Sequence, residues 1–364
     1  MDINFTPSLQ HLSSVKIASL LLLDYDIGKM LDRDLMMPYC FDHFEPARHH
    51  LWEMIKRTVI KKVHPLAPSL QLKVAEYLRA MHLEFVIWLR DHDLSPQRKG
   101  FHINYTNLIC WKFDGTIDRE QTAKKYVQNG SIDARDRFIM ACNYCFIDVM
   151  VDLWGLIKIV GLPSTSRRGI NSAVRLWMCM LKKGITEPTK EMIEAYLKVQ
   201  SLSSSDIPIR LSSYFRFLCR KCRRDYFIMV DPITIHNDDF RSCLYQMEET
   251  ERIELLELTP GNVLIRLLEW PFQSVFIKVA IEISSKLRLR EFETILEYMV
   301  GFYILNGYNF LEIFVEFWSL IPDCQKDEIK KDKKKFKAYE AILNYGTVNQ
   351  SKSLAETVSG YYFS

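Results

Sequence analysis

The stretch from Thr116 to Ile157 constrains the fold more than any other part of the sequence. Its apolar residues recur at helical spacing, and short polar breaks separate them. Asp118 can accept hydrogen bonds at the start of a helix, and Gly130 is well placed to end one. We therefore predict three short helices joined by tight turns, and successive short helices of this kind pack as antiparallel hairpins.

One continuous apolar seam runs through the second and third of these helices. The second helix contributes Phe138, Ile139, Ala141, Cys142 and Cys145. The third helix contributes Phe146, Val149, Met150, Leu153, Trp154 and Ile157. Apolar residues that share one helix face are buried against a neighbouring element, so the seam is predicted to be core.

Glycine and proline are scarce, at 13 residues each in a chain of 364. All-β folds need many tight turns built from these residues, so their scarcity favours helices. Hydrophobic residues make up 48% of the chain and charged residues 26%, as in ordinary globular proteins. We predict an all-α fold of stacked antiparallel hairpins, irregular and solenoid-like, in one array or in two helical subdomains.

Charge and termini restrict the partners and the compartment. The 48 basic and 45 acidic residues leave a net charge of +3, too small for a broad field that attracts nucleic acid or a membrane. The first ten residues, MDINFTPSLQ, lack the pattern of a secretory signal, and residues 138–157 are interrupted by Asp148 and Asp152. With nine cysteines and no such signal, reduced thiols and a cytoplasmic or nuclear location are expected.

Turns and charge runs divide the chain into five regions. Residues 1–115 are predicted to form an N-terminal helical region, and residues 116–200 hold the central hairpins. Residues 201–259 combine a hinge at the serines of 201–205 with a basic and an acidic helix. A Thr-Pro-Gly-Asn boundary precedes a C-terminal helical block at 260–345, and residues 346–364 are expected to be a loose tail.

An internal echo links two distant helices. FIDVMVDLWGLI at residues 146–157 and FLEIFVEFWSLI at residues 310–321 are identical at five of twelve positions. In both segments two acids four residues apart share a side that we predict to be exposed, opposite the aromatic residues. The match indicates one structural unit used twice, or the general likeness of two amphipathic helices. No regular repeat period follows from it, so an ankyrin or tetratricopeptide array is not indicated.

Three motifs give the chain a family likeness. Residues 118–123 fit D-x-x-x-T-A, residues 133–145 fit D-x-R-x-R-F-x-x-A-C-x-Y-C, and residues 269–273 fit E-W-P-x-Q. With these motifs the chain resembles a large, arachnid-expanded family of uncharacterised all-helical proteins over most of residues 40–345. The resemblance implies an α-helical, repeat-like fold, and it implies no established activity and no functional residues. One departure is that relatives often carry acids directly after the Tyr-Cys, where this chain has Phe146 and Ile147.

Two Cys-x-x-Cys pairs have metal-ligand spacing. They are Cys142 with Cys145, and Cys219 with Cys222. Two such pairs can supply the four thiolates of a tetrahedral zinc site. However, 73 residues separate them, and both pairs fall in helical patterns, where positions i and i+3 merely share a face. We therefore expect the cysteines to pack as small apolar groups, with zinc ligation as the less favoured alternative and no cofactor.

Basic and aromatic residues are interleaved in residues 209–227, IRLSSYFRFLCRKCRRDYF, which we predict to be helical. Five positive charges stand close together there: Arg216, Arg220, Lys221, Arg223 and Arg224. Next to aromatic rings, such charges could grip a nucleic-acid backbone while the rings stack on bases. The favoured interpretation is an amphipathic helix with its basic side in water.

The motifs that identify common enzymes are missing from the sequence. It has no glycine-rich phosphate loop, no G-x-S-x-G and no H-E-x-x-H. We expect a non-enzymatic protein that binds other proteins or acts as a scaffold, by analogy with stacked helical hairpins. The alternative is a nucleic-acid-binding module that uses residues 216–226, and an enzyme of unknown type comes third. The specific partner and the oligomeric state stay open.

Overall fold

A computed structural model describes residues 5–37, 45–94, 107–160, 170–198, 209–229, 236–345 and 352–362. Over these residues the chain forms twenty α-helices, two 3-10 turns and one π-helical segment, and no β-strand. A single antiparallel bridge within them joins Trp111 to Ile117. The predicted all-α class is therefore confirmed. The predicted hinge at residues 201–205 lies outside the described residues.

The helices follow one another closely along the chain. The first group is α1 (Leu9–Leu21), α2 (Tyr25–Met36), α3 (Pro46–Lys62) and α4 (Pro68–Asp91). The middle group is α5 (Arg119–Gln128), α6 (Ala134–Tyr144), α7 (Ile147–Val160), α8 (Ser172–Lys182), α9 (Lys190–Lys198), α10 (Leu211–Tyr214), α11 (Arg220–Met229), α12 (Asn237–Gln246) and α13 (Glu249–Leu258). The last group is α14 (Pro260–Leu267), α15 (Gln273–Ile283), α16 (Leu289–Tyr298), α17 (Leu311–Leu320), α18 (Asp323–Ile329), α19 (Lys333–Leu343) and α20 (Leu354–Tyr362).

The chain divides into two compact units. The first unit combines Met1–Leu78 with Thr259–Ser364, so both ends of the chain belong to it. The second unit is the continuous segment Arg79–Leu258, which contains the organising stretch at 116–157. The first change of unit falls inside α4, and the second falls at the turn before α14. Stacking of hairpins into a solenoid remains a prediction.

A buried ion pair ties α2 to α3 in the first unit. Arg48 donates from Nε to Asp34 Oδ1 at 3.0 Å, and Trp52 donates its indole N–H to the same oxygen at 3.1 Å. Arg48 also donates to the carbonyl oxygens of Asp34 and Met37 at the end of α2. Both charged side chains are buried. Because each charge is bound by several groups, the cost of removing it from water is offset.

In the second unit the three predicted helices of the organising stretch are α5, α6 and α7. Asp118 caps α5 as predicted, accepting the backbone N–H of Gln121 at 3.0 Å. The helix also ends close to the predicted place, since its last residue is Gln128, its C-cap is Asn129, and Gly130 follows directly. Asn129 closes the following turn, because its side-chain oxygen accepts the N–H of Ser131 at 3.0 Å.

The predicted apolar seam is buried. Phe138, Cys142 and Met150 are fully enclosed, and Trp154 stacks on Phe138 with ring centroids 6.0 Å apart. Cys145 departs from its expected place on the helix face, because it is the C-cap of α6 with a left-handed backbone at φ 55°. This turn ends α6 and lets α7 start two residues later and pack against it.

The two echo segments have the same burial phase. Val151 and Val315 occupy equivalent positions, and each is 39% exposed. The acids of both helices are exposed, and the aromatic and aliphatic residues opposite them are buried or half-buried. The packing partners differ, since α7 packs against α6 while α17 packs against α15 and α19. The likeness in sequence therefore specifies which side is buried, and it does not specify the neighbours.

The basic segment is not one continuous helix, contrary to the prediction. It consists of α10, a 3-10 turn at Phe215–Phe217 and α11, which begins at Arg220. In a continuous helix Cys219 would donate its N–H to the carbonyl of Phe215. Instead Cys219 donates to Glu194 Oε1 at 2.8 Å, and the guanidinium of Arg223 donates to the Phe215 carbonyl at 3.0 and 3.2 Å. Side chains therefore satisfy both halves of the broken backbone bond.

The C-terminal tail is also more regular than predicted. Residues 354–362 form α20, which packs against α19 with Ala355 and Val358 buried. Ser353 accepts the N–H of Glu356 at 3.3 Å, and Glu356 accepts the N–H of Ser353 at 2.8 Å. This reciprocal capping box was visible in the sequence as Ser-x-x-Glu before an apolar run.

Replacing Trp154 with alanine should lower the free energy of unfolding by about 3–5 kcal/mol, because the change leaves a cavity against Phe138. Denaturant unfolding followed by circular dichroism measures the effect. Val151→Ala on the exposed side of the same helix is the matched control, expected to change stability by less than about 0.5 kcal/mol. Equal effects of the two substitutions would contradict the placement of Trp154 in the core.

Candidate functional site

A small polar cavity lies inside the second unit, lined from five separate segments. These are the end of α4, the start of α5, the end of α6, the residues before α10 and the start of α12. The lining residues are Asp91, His92, Arg119, Asn143, Tyr144, Ile209, Arg210, His236 and Asp239. Convergent titratable groups around a cavity are the usual mark of a chemical site.

Arg119, the first residue of α5, is a buried charge in the cavity wall. Its Nη1 donates to Asp91 Oδ2 at 2.8 Å, and its Nε lies 4.0 Å from Glu84 Oε1. Burial opposes the charged form, but the two carboxylates outweigh it and raise the pKa of Arg119. The guanidinium is therefore a fixed positive charge, and it acts on the pKa of Glu84, His92 and Tyr144.

His92 is held in its neutral form. The hydrogen-bond network assigns the proton to Nδ1, which donates to the carbonyl oxygen of Trp88 at 2.6 Å. Nε2 then accepts from the hydroxyl of Tyr144 at 3.0 Å. Burial, reinforced by the charge of Arg119, lowers the pKa of His92 to about 4, and burial raises the pKa of Tyr144 to about 12. Neither group is suited to proton transfer near neutral pH, where an effective acid or base needs a pKa close to the working pH.

His236 serves as the cap of α12. Its Nδ1 accepts the backbone N–H of Asp238 at 3.1 Å, so the proton of the neutral ring lies on Nε2. Nε2 donates in turn to Glu84 Oε2 at 3.2 Å. Burial would raise the pKa of Glu84, but His236 and Arg119 reverse this and lower it. Both ring nitrogens of His236 are therefore engaged, one in the cap of α12 and the other in the contact with Glu84.

The two acids at the start of α12 hold neighbouring segments in place. Asp239 accepts the backbone N–H groups of the first two residues of α10 at 2.7 and 2.9 Å. Asp238 binds Arg210 at 2.8 Å and also binds Lys112. Burial disfavours the charge on Asp238, but the two cations hold its pKa well below the usual range.

The polar cavity is therefore better explained as a structural network than as a catalytic centre. These acids and bases are engaged in helix caps and ion pairs. The cavity has a volume of about 30 Å³, which is room for one or two water molecules. Pockets for substrate-sized ligands are typically about 300 Å³ or more.

The two predicted cysteine pairs have different environments. Burial raises the pKa of Cys142 well above its usual range and that of Cys145 to about 11, so both are packed thiols. Cys219 and Cys222 lie at the start of α11, next to Glu194 of α9. The two sulfur atoms and a carboxylate oxygen lie within 4.8 Å of one another. Among the described residues the first pair is not part of this group, so the two pairs do not combine into a four-cysteine site.

The five basic residues proposed for nucleic acid do not form one free surface. Arg220 and Arg224 bind the carboxylate of Glu254 at 2.7 and 3.3 Å and lower its pKa. Arg223 reaches Glu251 at 3.4 Å and lies over the ring of Phe215, 4.1 Å from its centroid. The remaining two, Arg216 and Lys221, are exposed. Helix α13 thus provides the acids that balance most of the charge of α11.

The outer side of α7 is apolar and exposed to solvent. We define the α7 face as Val151, Gly155, Leu156, Ile159 and Val160, of which Ile159 is 85% exposed. Spacings of three and four residues make these positions neighbours on the helix surface. A Cβ added at Gly155 would meet no atom within 4 Å. Two exposed acids, Asp148 and Asp152, border the face near the start of the helix.

Sequence reasoning missed both the α7 face and the cavity. The sequence of α7, IDVMVDLWGLIKIV, is apolar around nearly its whole circumference, which normally indicates burial on all sides. The two acids correctly mark the exposed side, but the pattern does not reveal that apolar residues on that side also stay uncovered. The cavity left no comparable signal, because its residues come from segments that are distant in sequence.

Comparison with known proteins finds no relative. No family model matches the chain, and neither a curated protein nor a solved structure matches it. The resemblance to the arachnid-expanded family therefore stays a prediction. Within the described ranges, no helix combines the length and the apolar character needed to cross a membrane.

His92 should make the stability of the second unit depend on pH. Its pKa is about 4 in the folded chain, and an unperturbed histidine has a pKa of about 6.5. Between these values the unfolded chain binds the extra proton, so stability is complete above about pH 6.5 and falls as the pH drops towards 4. We expect a loss of about 3 kcal/mol over this window, measured by urea unfolding at a series of pH values.

The control for this titration is His92→Gln, which keeps a donor and an acceptor but has no titrating ring. Its free energy of unfolding should lack the part of the pH dependence that comes from His92. The difference in unfolding free energy between the two proteins should therefore change by about 3 kcal/mol between pH 6.5 and pH 4, because only the histidine protein loses stability over this window. Parallel curves for both proteins would show that the ring is not held neutral by the fold.

Proposed function

We propose that the protein is a non-enzymatic binding protein, which includes a scaffolding role, and that the α7 face docks a partner protein. The observation that carries the proposal is the exposure of four apolar side chains on the outer side of one helix. Contiguous exposed apolar patches mark interaction sites, because covering them removes apolar surface from water at about 25 cal/mol per Å².

The surroundings of the α7 face define the chemistry of the partner. Asp148 and Asp152 place negative charge next to the apolar residues, so a complementary surface carries basic residues beside its own apolar contact. Gly155 provides a shallow point at the centre where a partner backbone can approach closely. An amphipathic helix with a basic border satisfies these requirements, since helices pack by fitting side-chain ridges into such grooves.

A non-catalytic role is supported by the polar cavity. The pKa of His92 is about 4 and the pKa of Tyr144 is about 12, and both values are far from neutral pH. His236 and the neighbouring acids are committed to capping helices. Groups with these bonds stabilise a fold, and turning any of them to proton transfer would break a structural contact.

Nucleic-acid binding through α11 is the weaker alternative. Three of its arginines already pair with Glu251 and Glu254 of α13. Binding to phosphate would first have to break these pairs, and acids beside the site would repel the backbone. A salt-dependent shift of RNA or DNA by the protein, lost when Arg220, Arg223 and Arg224 become glutamate, would favour this alternative over the α7 face.

We further propose a reducing compartment, the cytoplasm or the nucleus, as the place of action. The eight cysteines within the described ranges are all free of disulfide bonds. Disulfides form in oxidising compartments and are rare in the cytosol and nucleus, which fits a chain whose described cysteines form no disulfide.

Site-specific photo-cross-linking in the source cells tests the docking surface. A cross-linking residue replaces Ile159 in one variant and Ile281 in the control, which is also an exposed isoleucine, on α15. We expect a discrete protein adduct at position 159 and none at position 281. An adduct with a second copy of the chain would make the partner the protein itself. The same adducts at both positions, or none at position 159, would overturn the proposal.

A double substitution, Val151→Glu with Leu156→Glu, should weaken binding of the partner so identified by about thirtyfold or more. This corresponds to about 2 kcal/mol, the cost expected when charge is placed in an apolar contact centre. Thermal unfolding should hardly change, because both side chains already face solvent. Isothermal titration with the purified partner measures the affinity, and unchanged binding would exclude the α7 face as the contact.

A further inference from the structure

The start of α11 brings three metal-ligating side chains together. Cys219 directly precedes the helix, and Cys222 is its third residue. Glu194 comes from α9, which is distant in sequence, and its Oε1 accepts the backbone N–H of Cys219 at 2.8 Å. The sulfur atoms and a carboxylate oxygen all lie within 4.8 Å of one another, and the three residues are half-buried.

We propose that Cys219, Cys222 and Glu194 form a binding site for a soft divalent cation of the Zn²⁺ class. Two thiolates and one carboxylate oxygen supply three ligands, and a water molecule supplies the fourth. Tetrahedral coordination needs bonds of about 2.3 Å to sulfur and about 2.1 Å to oxygen, which places ligand atoms somewhat under 4 Å apart. Side-chain rotations can bring the observed spacing, within 4.8 Å, to this geometry.

The break in the basic segment builds this site. In a continuous helix Cys219 would lie inside the helix with its N–H bound to Phe215. Instead the side chain of Glu194 accepts the N–H of Cys219, and that of Arg223 donates to the carbonyl of Phe215. The chain therefore turns at Leu218, with Cys219 just before the start of α11 and Cys222 in its first turn. The Cys-x-x-Cys pair at this turn forms a ligand group with a carboxylate of another helix, which the pair at the end of α6 does not do among the described residues.

Charge favours a cation with thiolate ligands at this place. On binding, each thiol releases its proton to solvent, so the three ligands carry three negative charges against two on the metal. The remaining negative charge lies at the start of α11, where the positive end of the helix dipole favours it. Arg220 and Lys221 follow Cys219 directly and add positive charge on the same turn. The soft sulfur ligands select zinc-like ions over Mg²⁺ or Ca²⁺, which prefer oxygen.

The other cysteine pair provides the internal contrast. Cys142 is fully buried in α6, and Cys145 lies at a left-handed cap. No carboxylate or histidine forms a ligand group with them among the described residues. The same Cys-x-x-Cys spacing therefore leads to packing in one place and to a ligand cluster in the other.

Titration of the full-length, reduced and chelator-treated protein with Co²⁺ tests the site. Cobalt bound by thiolates gives a sulfur-to-metal charge-transfer band and intense visible bands when tetrahedral. We expect one Co²⁺ per chain, displaced by Zn²⁺, and these bands should vanish in Cys219→Ser and in Cys222→Ser. Glu194→Gln keeps an acceptor for the Cys219 N–H but loses the charge, so affinity should fall by about tenfold or more.

Cys324→Ser and Cys145→Ser are the matched controls, and both should bind cobalt like the parent protein. Circular dichroism of each variant separates loss of the site from loss of the fold, and Glu194→Gln is the variant least expected to unfold. Cobalt bands that persist in both cysteine variants, or no band in the parent protein, would overturn the proposal. The proposal would also be overturned if Cys219 and Cys222 formed a disulfide in the presence of reductant and no metal bound.

Discussion

Burying charge is expensive, and the second unit buries several carboxylates and two guanidinium groups in one region. They are stable there because each is bound to a backbone group or to an opposite charge. Asp239 holds the first turn of α10, His236 caps α12, and Asp238 binds Arg210. These contacts join five segments of the chain. The residue types resemble those of a catalytic centre, but here they hold the helices of the unit together.

The same requirement explains the irregular backbone around α11. The helical hydrogen bond from the N–H of Cys219 to the carbonyl of Phe215 is absent. The side chain of Glu194 accepts the N–H, and the side chain of Arg223 donates to the carbonyl. Arg223 is stabilised further by the ring of Phe215 and by Glu251. The break is therefore a product of tertiary contacts. The proposed cation site follows from it, because the break places Cys219 just before a helix start and not in the middle of a helix.

Features that depend only on residues close together in the sequence were predictable from it. The all-α class, the cap at Asp118 and the buried seam containing Phe138 and Trp154 follow from local periodicity and side-chain chemistry. The cavity and the break at Cys219 depend on partners such as Glu84 and Glu194, which are distant in sequence. The exposure of Ile159 depends on which surfaces the rest of the unit leaves uncovered. No local pattern contains that information.

The echo between α7 and α17 separates architecture from function. Both helices bury the same positions, so the shared sequence serves packing. Their outer sides diverge after the match ends, because α17 stops at Leu320 before Pro322, whereas α7 continues to Val160. The positions that correspond to Ile159 and Val160 in the second copy are Asp323 and Cys324, in a different helix. An apolar extension found in only one of the two helices is not required by the shared packing pattern, and the proposed docking of a partner protein accounts for it.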